Sequence, residues 1–93
     1  MWEKVEKIAR RYEEVTAMLS DPGTYGDLEK MKDLSREQKE LQGVAEAYET
    51  YLATRSTMDE AQTLLSDPEM GDFAREELAR AKTAMEVLEE RCR

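Results

Sequence analysis

The chain has 93 residues, with 22 Asp and Glu against 14 Lys and Arg, a net charge of −8 and no histidine. That length allows one small domain with a modest core. The acidic balance weighs against nucleic-acid binding, which needs clustered Lys and Arg for phosphate contacts, and the missing imidazole removes the commonest general base and transition-metal ligand.

Charged residues make up 39% of the chain and aromatic residues only 6%, which suits helices with one narrow apolar stripe and a wide solvated face. Disorder is the rival reading of so polar a chain, but disordered segments have no reason to keep a helical period. The single cysteine, Cys92, excludes an intrachain disulfide and fits a reducing cytosol. No apolar run approaches the length of a membrane span, and Met1 to Lys7 lacks a signal-peptide core. The expectation is a soluble cytoplasmic module with no membrane and no DNA partner.

Apolar residues at Met1, Val5, Ile8, Tyr12, Val15 and Leu19 recur at intervals of 4, 3, 4, 3 and 4, the seam of an amphipathic helix over about 1–20. Glu3 with Lys7 and Glu6 with Arg10 are i,i+4 pairs on its outer face. Ser20 to Asp27 holds two glycines, one proline and two aspartates and reads as a loop, with Asp27 as N-cap of the next helix. Tyr25 is expected to fold back onto the core.

The helical period returns at Leu28, Met31, Leu34, Gln38, Leu41, Ala45 and Tyr48, and continues through Tyr51, Leu52, Met58, Ala61, Leu64 and Leu65. Gly43 lies inside this run, costs about 1 kcal/mol relative to alanine, and coincides with a drift of the stripe. The expectation is two helices, about 27–42 and 44–66, with a break at Gly43, or one long kinked helix.

Leu64-Leu65-Ser66-Asp67-Pro68-Glu69-Met70 reads as a corner. Proline ends the incoming helix and suits the first position of a new one. Asp67 or Ser66 is the expected N-cap, with Glu69 completing a Ser-x-x-Glu capping box. The last helix is expected over 68–92, its stripe Met70, Ala74, Leu78, Ala81, Met85, Leu88 and Cys92, with Phe73 alongside. It reaches the end of the chain without a capping glycine, so it is expected to continue in a longer protein. Short connections favour antiparallel neighbours, so the fold class is all-α, an antiparallel bundle or hairpin of three to four helices in a single domain, 1–93.

Nothing in this pattern carries catalysis. Glu13-Glu14, Glu76-Glu77 and Glu89-Glu90 are sequence neighbours, which point about 100° apart on a helix and do not converge on a substrate or metal. Asp21 and Asp67 precede prolines and read as caps, since the alternating acids of a calcium loop are missing. Gly23 and Gly26 build no phosphate loop, and neither Ser66 nor Cys92 has an activating base. Arg10-Arg11 and Lys30/Lys32/Arg36 read as solvated partners of nearby Glu, which could meet RNA only within a larger assembly. No cofactor, metal or catalytic residue is expected.

Several stretches taken together resemble one family. They are Arg11-Tyr12-Glu13-Glu14-Val15 running into Leu19-Ser20-Asp21, Leu34-Ser35-Arg36-Glu37, Glu46-Ala47-Tyr48, and Ala61-Gln62 through Asp67-Pro68-Glu69-Met70 to Ala74-Arg75-Glu76-Glu77-Leu78. In this order and spacing they are similar to the N-terminal domain of bacterial class I peptide chain release factors of the release factor 1 type. The resemblance implies the helical first domain of a cytosolic protein that reads stop codons and triggers peptidyl-tRNA hydrolysis. It further implies docking on the ribosome at the GTPase-associated region, the large-subunit stalk base of protein and rRNA, and communication with the class II release factor. The family's Gly-Gly-Gln loop and stop-codon motif have no match here, so no catalytic or decoding residue carries over and a fragment of a longer factor is implied. The alternative is a structural coiled-coil module, a homodimer through Val5/Ile8/Tyr12/Val15 or Leu78/Ala81/Met85/Leu88.

Overall fold

The computed structural model describes all 93 residues as three α-helices and one short 3-10 turn, with no strand. Helix α1 spans Trp2–Ser20, the 3-10 turn Pro22–Thr24, helix α2 Leu28–Leu64 and helix α3 Gly71–Arg91. The chain divides into two compact units, Met1–Tyr48 and Glu49–Arg93, and α2 contributes to both.

In the first unit α1 and the first part of α2 form a hairpin. Its core takes Val5 and Val15 of α1 and Leu34 and Ala45 of α2 from the sequence stripes, and adds Ala9 and Ala47, which lie off them. Val15 has no exposed surface at all. Gln38 occupies a stripe position that an apolar residue would ordinarily take, and its amide nitrogen donates to Thr16 Oγ1 at 3.1 Å. That bond removes the cost of an unpaired polar group at a half-buried position. Arg11 grips Glu37 with two parallel bonds, Nε to Oε2 at 2.6 Å and Nη2 to Oε1 at 2.8 Å. This fork-on-carboxylate geometry fixes direction as well as distance and sets the register between the two helices.

The connection is built from local hydrogen bonds. The Asp21 carboxylate accepts from Gly23 N–H at 3.0 Å, and Asp27 Oδ1 accepts from Lys30 N–H at 3.0 Å, so both aspartates act as caps. Tyr25 does not pack into the core as expected. It is 58% exposed, and its hydroxyl reaches only the Ser20 carbonyl, at 3.5 Å.

Of the two alternatives at Gly43 the single helix is the one that forms, and the break is corrected: α2 runs through the glycine without interruption. Gly43 has no positive φ, and a Cβ placed there would meet nothing within 4 Å, so the site makes no demand on the backbone. Its propensity cost of about 1 kcal/mol is outweighed by the packing of neighbouring Ala45 and Ala47, both buried. The Gln42 amide also donates to Glu46 Oε1 at 3.1 Å, bridging across the glycine.

In the second unit the rest of α2 and helix α3 form another hairpin, with Ala61, Gly71, Ala74, Ala81 and Leu88 buried. Small side chains dominate this core, and at the corner Gly71 lies close against the Leu65 carbonyl. Met70, placed on the stripe by its spacing, is 39% exposed.

Both stripes considered for dimerisation are already occupied within the chain. Val5, Val15, Ala81 and Leu88 are buried, and Ile8, Tyr12, Leu78 and Met85 are partly so.

Candidate functional site

The residues singled out from sequence lie at the corner between α2 and α3, all four of them exposed. Of the two candidate caps Asp67 is the one that bonds, and it closes the turn before α3, whose own N-cap is Met70 without a side-chain bond. Asp67 Oδ1 accepts from Glu69 N–H at 2.8 Å and from Met70 N–H at 2.9 Å, while the Asp67 carbonyl accepts from Gly71 N–H at 2.9 Å. Those bonds hold the Asp67 carboxyl below its ordinary pKa, the Met70 bond first and the Glu69 bond second. Ser66 belongs to the fraying turn after α2, and the reciprocal Ser66–Glu69 bond of a capping box does not form. Pro68, Glu69 and Met70 make a turn, and α3 begins at Gly71 instead of Pro68. Proline's lack of an N–H is harmless there, because the donors that face Asp67 come from the next two residues.

Gly71 is the feature of this corner that sequence reading passed over. A Cβ at this position would lie 2.9 Å from the Leu65 carbonyl oxygen and 3.9 Å from that of Leu64. Its φ is not positive, so the glycine is required by close approach and not by backbone freedom. A glycine four residues after a turn-closing aspartate, in a hairpin this tight, was the available signal.

Beside the corner runs an open groove between α2 and α3. Its first stretch, about 280 Å³, is walled by Thr57, Glu60 and Leu64 on α2 and by Phe73 and Glu77 on α3, over a floor of Ala61 and Ala74. A second stretch of about 270 Å³ shares Thr57 and Glu77 and continues past Thr54 and Arg80 to Ala81 and Ala84. Phe73 is 52% exposed at the mouth. Arg80 is ion-paired with Glu77, and that pairing raises the guanidinium's pKa.

Two carboxylates line the groove, Glu60 and Glu77, beside Thr54, Thr57 and the alanines, and Glu77 is the one paired with Arg80. No group of three or more His, Cys, Asp or Glu side chains is placed to hold a metal ion, and no helix is long and apolar enough to cross a membrane. Of the basic residues noted in the sequence, Arg10 pairs with Glu6, and Arg11 with Glu37 and Glu14. Gly43 lies in the other unit and takes no part in this site.

Comparison with known proteins adds a family. The PCRF domain matches residues 8–93. The chain is 40% identical over 87 residues to "Peptide chain release factor 1" of Campylobacter curvus (strain 525.92), covering 94% of this chain and 24% of that protein. It is also 40% identical over 88 residues to the protein of the same name from Campylobacter concisus (strain 13826), covering 95% of this chain and 25% of the relative. The chain therefore spans about a quarter of the length of these curated relatives. No solved structure matches.

Proposed function

The chain belongs to the PCRF domain family, and on that premise we propose that it is the helical N-terminal domain of a translation termination factor that directs stop-codon-dependent release of the nascent peptide. The domain serves docking and communication, not catalysis. Its partners are the ribosome, at the large-subunit stalk base of protein and rRNA, and the class II release factor. It works in the cytoplasm, and the decoding and peptidyl-tRNA hydrolysis functions reside in other parts of the parent protein.

The observation that supports this reading most is that the likeness to release factor 1 proteins covers 94% of the chain, including the Asp67-Pro68 corner. A docking role is further supported by the second hairpin, which offers a groove with the exposed apolar Phe73 in its lining.

Binding of the 93-residue chain to purified large ribosomal subunits, with and without the stalk-base protein, tests the docking role. Weak, saturable binding that depends on the stalk base is the expected result. Binding indifferent to the stalk base contradicts it.

A further inference from the structure

We propose that the groove between α2 and α3 is a seat for a basic amphipathic helix of a partner protein, with Phe73 as the anchor at its mouth. The seat is a property of the second hairpin alone and holds with or without a ribosomal role.

The form of the occupant follows from the walls. Both are helices whose backbone groups are satisfied internally, so an extended peptide would find no ladder partners here, as it would at a sheet edge. A third helix needs none. Helix axes pack about 8–10 Å apart, nearer the lower end when the side chains at the contact are small, and the floor is built from buried Ala61, Ala74 and Ala81. From Phe73 to Ala84 the groove follows twelve residues of α3, a rise of about 16 Å at about 1.5 Å per residue. That length takes three turns of an incoming helix, with apolar anchors at i, i+4, i+7 and i+11. Phe73 keeps half its surface in water, and covering that surface is the apolar gain on docking.

The charge of the occupant follows from the rim. The charged residues lining the groove are Glu60, Glu77 and Arg80, and Arg80 is already paired with Glu77, which leaves the Glu60 carboxylate. Over the groove's full span, Thr54 to Ala84, the chain carries seven acids, Asp59, Glu60, Asp67, Glu69, Asp72, Glu76 and Glu77, against Arg55, Arg75, Arg80 and Lys82, and Arg75 is paired with Asp72. A cationic helix is drawn to this field and an anionic one repelled. A second copy of this chain, at net charge −8, brings more of the repelled sign, and so does a nucleic acid.

The test titrates the 93-residue chain with two synthetic helical peptides that share one leucine face. One carries Lys and Arg at every polar position and the other carries Glu. Amide chemical-shift mapping reads the site, and fluorescence anisotropy of the labelled peptides reads the affinity. The basic peptide is expected to bind at least about tenfold tighter than the acidic one, with affinity falling as salt rises and shifts centred on Phe73 and Ala61. Phe73→Ala is expected to weaken it by about tenfold. Val87→Ala, an equally exposed apolar residue outside the groove, is expected to leave it unchanged, and circular dichroism checks that both variants remain folded. Equal binding of the two peptides, or indifference to Phe73→Ala, overturns the proposal. So does a concentration-dependent dimer of the free chain that Phe73→Ala abolishes, since that assigns the groove to a second copy.

Discussion

Replacing each of two helical glycines by alanine should change stability in opposite directions. At Gly43 the new methyl enters open space, and only helix propensity acts, favouring alanine by about 0.5–1 kcal/mol. At Gly71 the methyl would stand 2.9 Å from the Leu65 carbonyl oxygen, 0.5 Å inside the 3.4 Å at which ordinary contact begins. The opposing atom is backbone, held in the corner by the Gly71-to-Asp67 bond at 2.9 Å and the Asp67-to-Leu64 bond at 3.1 Å, so it cannot rotate away as a side chain would. Overpacking of this kind costs about 1–3 kcal/mol. Propensity recovers part of that, leaving Gly71→Ala destabilised by about 1–2 kcal/mol. Urea unfolding followed by far-UV circular dichroism gives the midpoints, and the comparison holds if the slopes match. Gly43→Ala is expected to unfold at higher urea than the parent chain and Gly71→Ala at lower. If Gly71→Ala is as stable as Gly43→Ala, the corner yields readily and the close-approach account of Gly71 is wrong.

Val15, with no exposed surface, should show the largest aliphatic truncation effect. Two methylene-sized groups at about 0.8 kcal/mol each, plus the cavity left behind, put Val15→Ala near 2–3 kcal/mol, and a urea-derived loss below about 1 kcal/mol would show a core loose enough to collapse around the gap. Acid unfolding should depend on Asp67 and Glu37, whose folded pKa values both lie below their ordinary ones, through the Met70 and Glu69 N–H groups and through Arg11 respectively. A depressed carboxyl stabilises the fold fully above its unfolded value, near pH 3.8 for Asp67 and 4.5 for Glu37. That contribution is lost as pH falls through the folded values. The double variant Asp67→Asn with Glu37→Gln should therefore show a flatter stability–pH slope below that range, and an unchanged slope would remove these two groups from the acid response. Asp67→Ala should lower the melting temperature where Asp67→Asn largely preserves it, because asparagine keeps the accepting oxygen. Equal melting temperatures for the two variants would mean that packing, and not the Asp67 bonds, sets the corner.

Much of the fold is legible in the sequence because helical period reports directly on burial. Val5, Val15, Leu34, Ala45, Ala74, Ala81 and Leu88 all sit on stripes read from spacing, and all are buried. Asp27 caps α2 where its position requires, whereas Asp67 accepts from the turn that precedes α3 and not from the helix, whose N-cap Met70 has no side-chain bond. The departures have local causes. Gly43 carries a propensity penalty that neighbouring buried alanines override, which single-residue reasoning cannot weigh. Gly71 is fixed by a backbone contact across a corner, and no periodicity encodes a distance of that kind. Phe73 looks like a core residue by type, yet it stands one position before buried Ala74 and turns outward. The groove was not legible either, since it depends on which alanines face each other across two helices. The family likeness, in contrast, was carried by ordered short segments, and it rests on identity spread along 94% of the chain, not on any reactive residue.

The most direct test of the docking role is competition. A release factor 1 protein of the matched family is added to ribosomal termination complexes, and the rate of peptide release is followed as the 93-residue chain is titrated in. The account predicts that the chain releases no peptide by itself and slows release by the factor in a dose-dependent manner, as an occupant of the same docking surface must. Peptide release by the isolated chain, or a release rate indifferent to it at saturating concentration, would contradict the account.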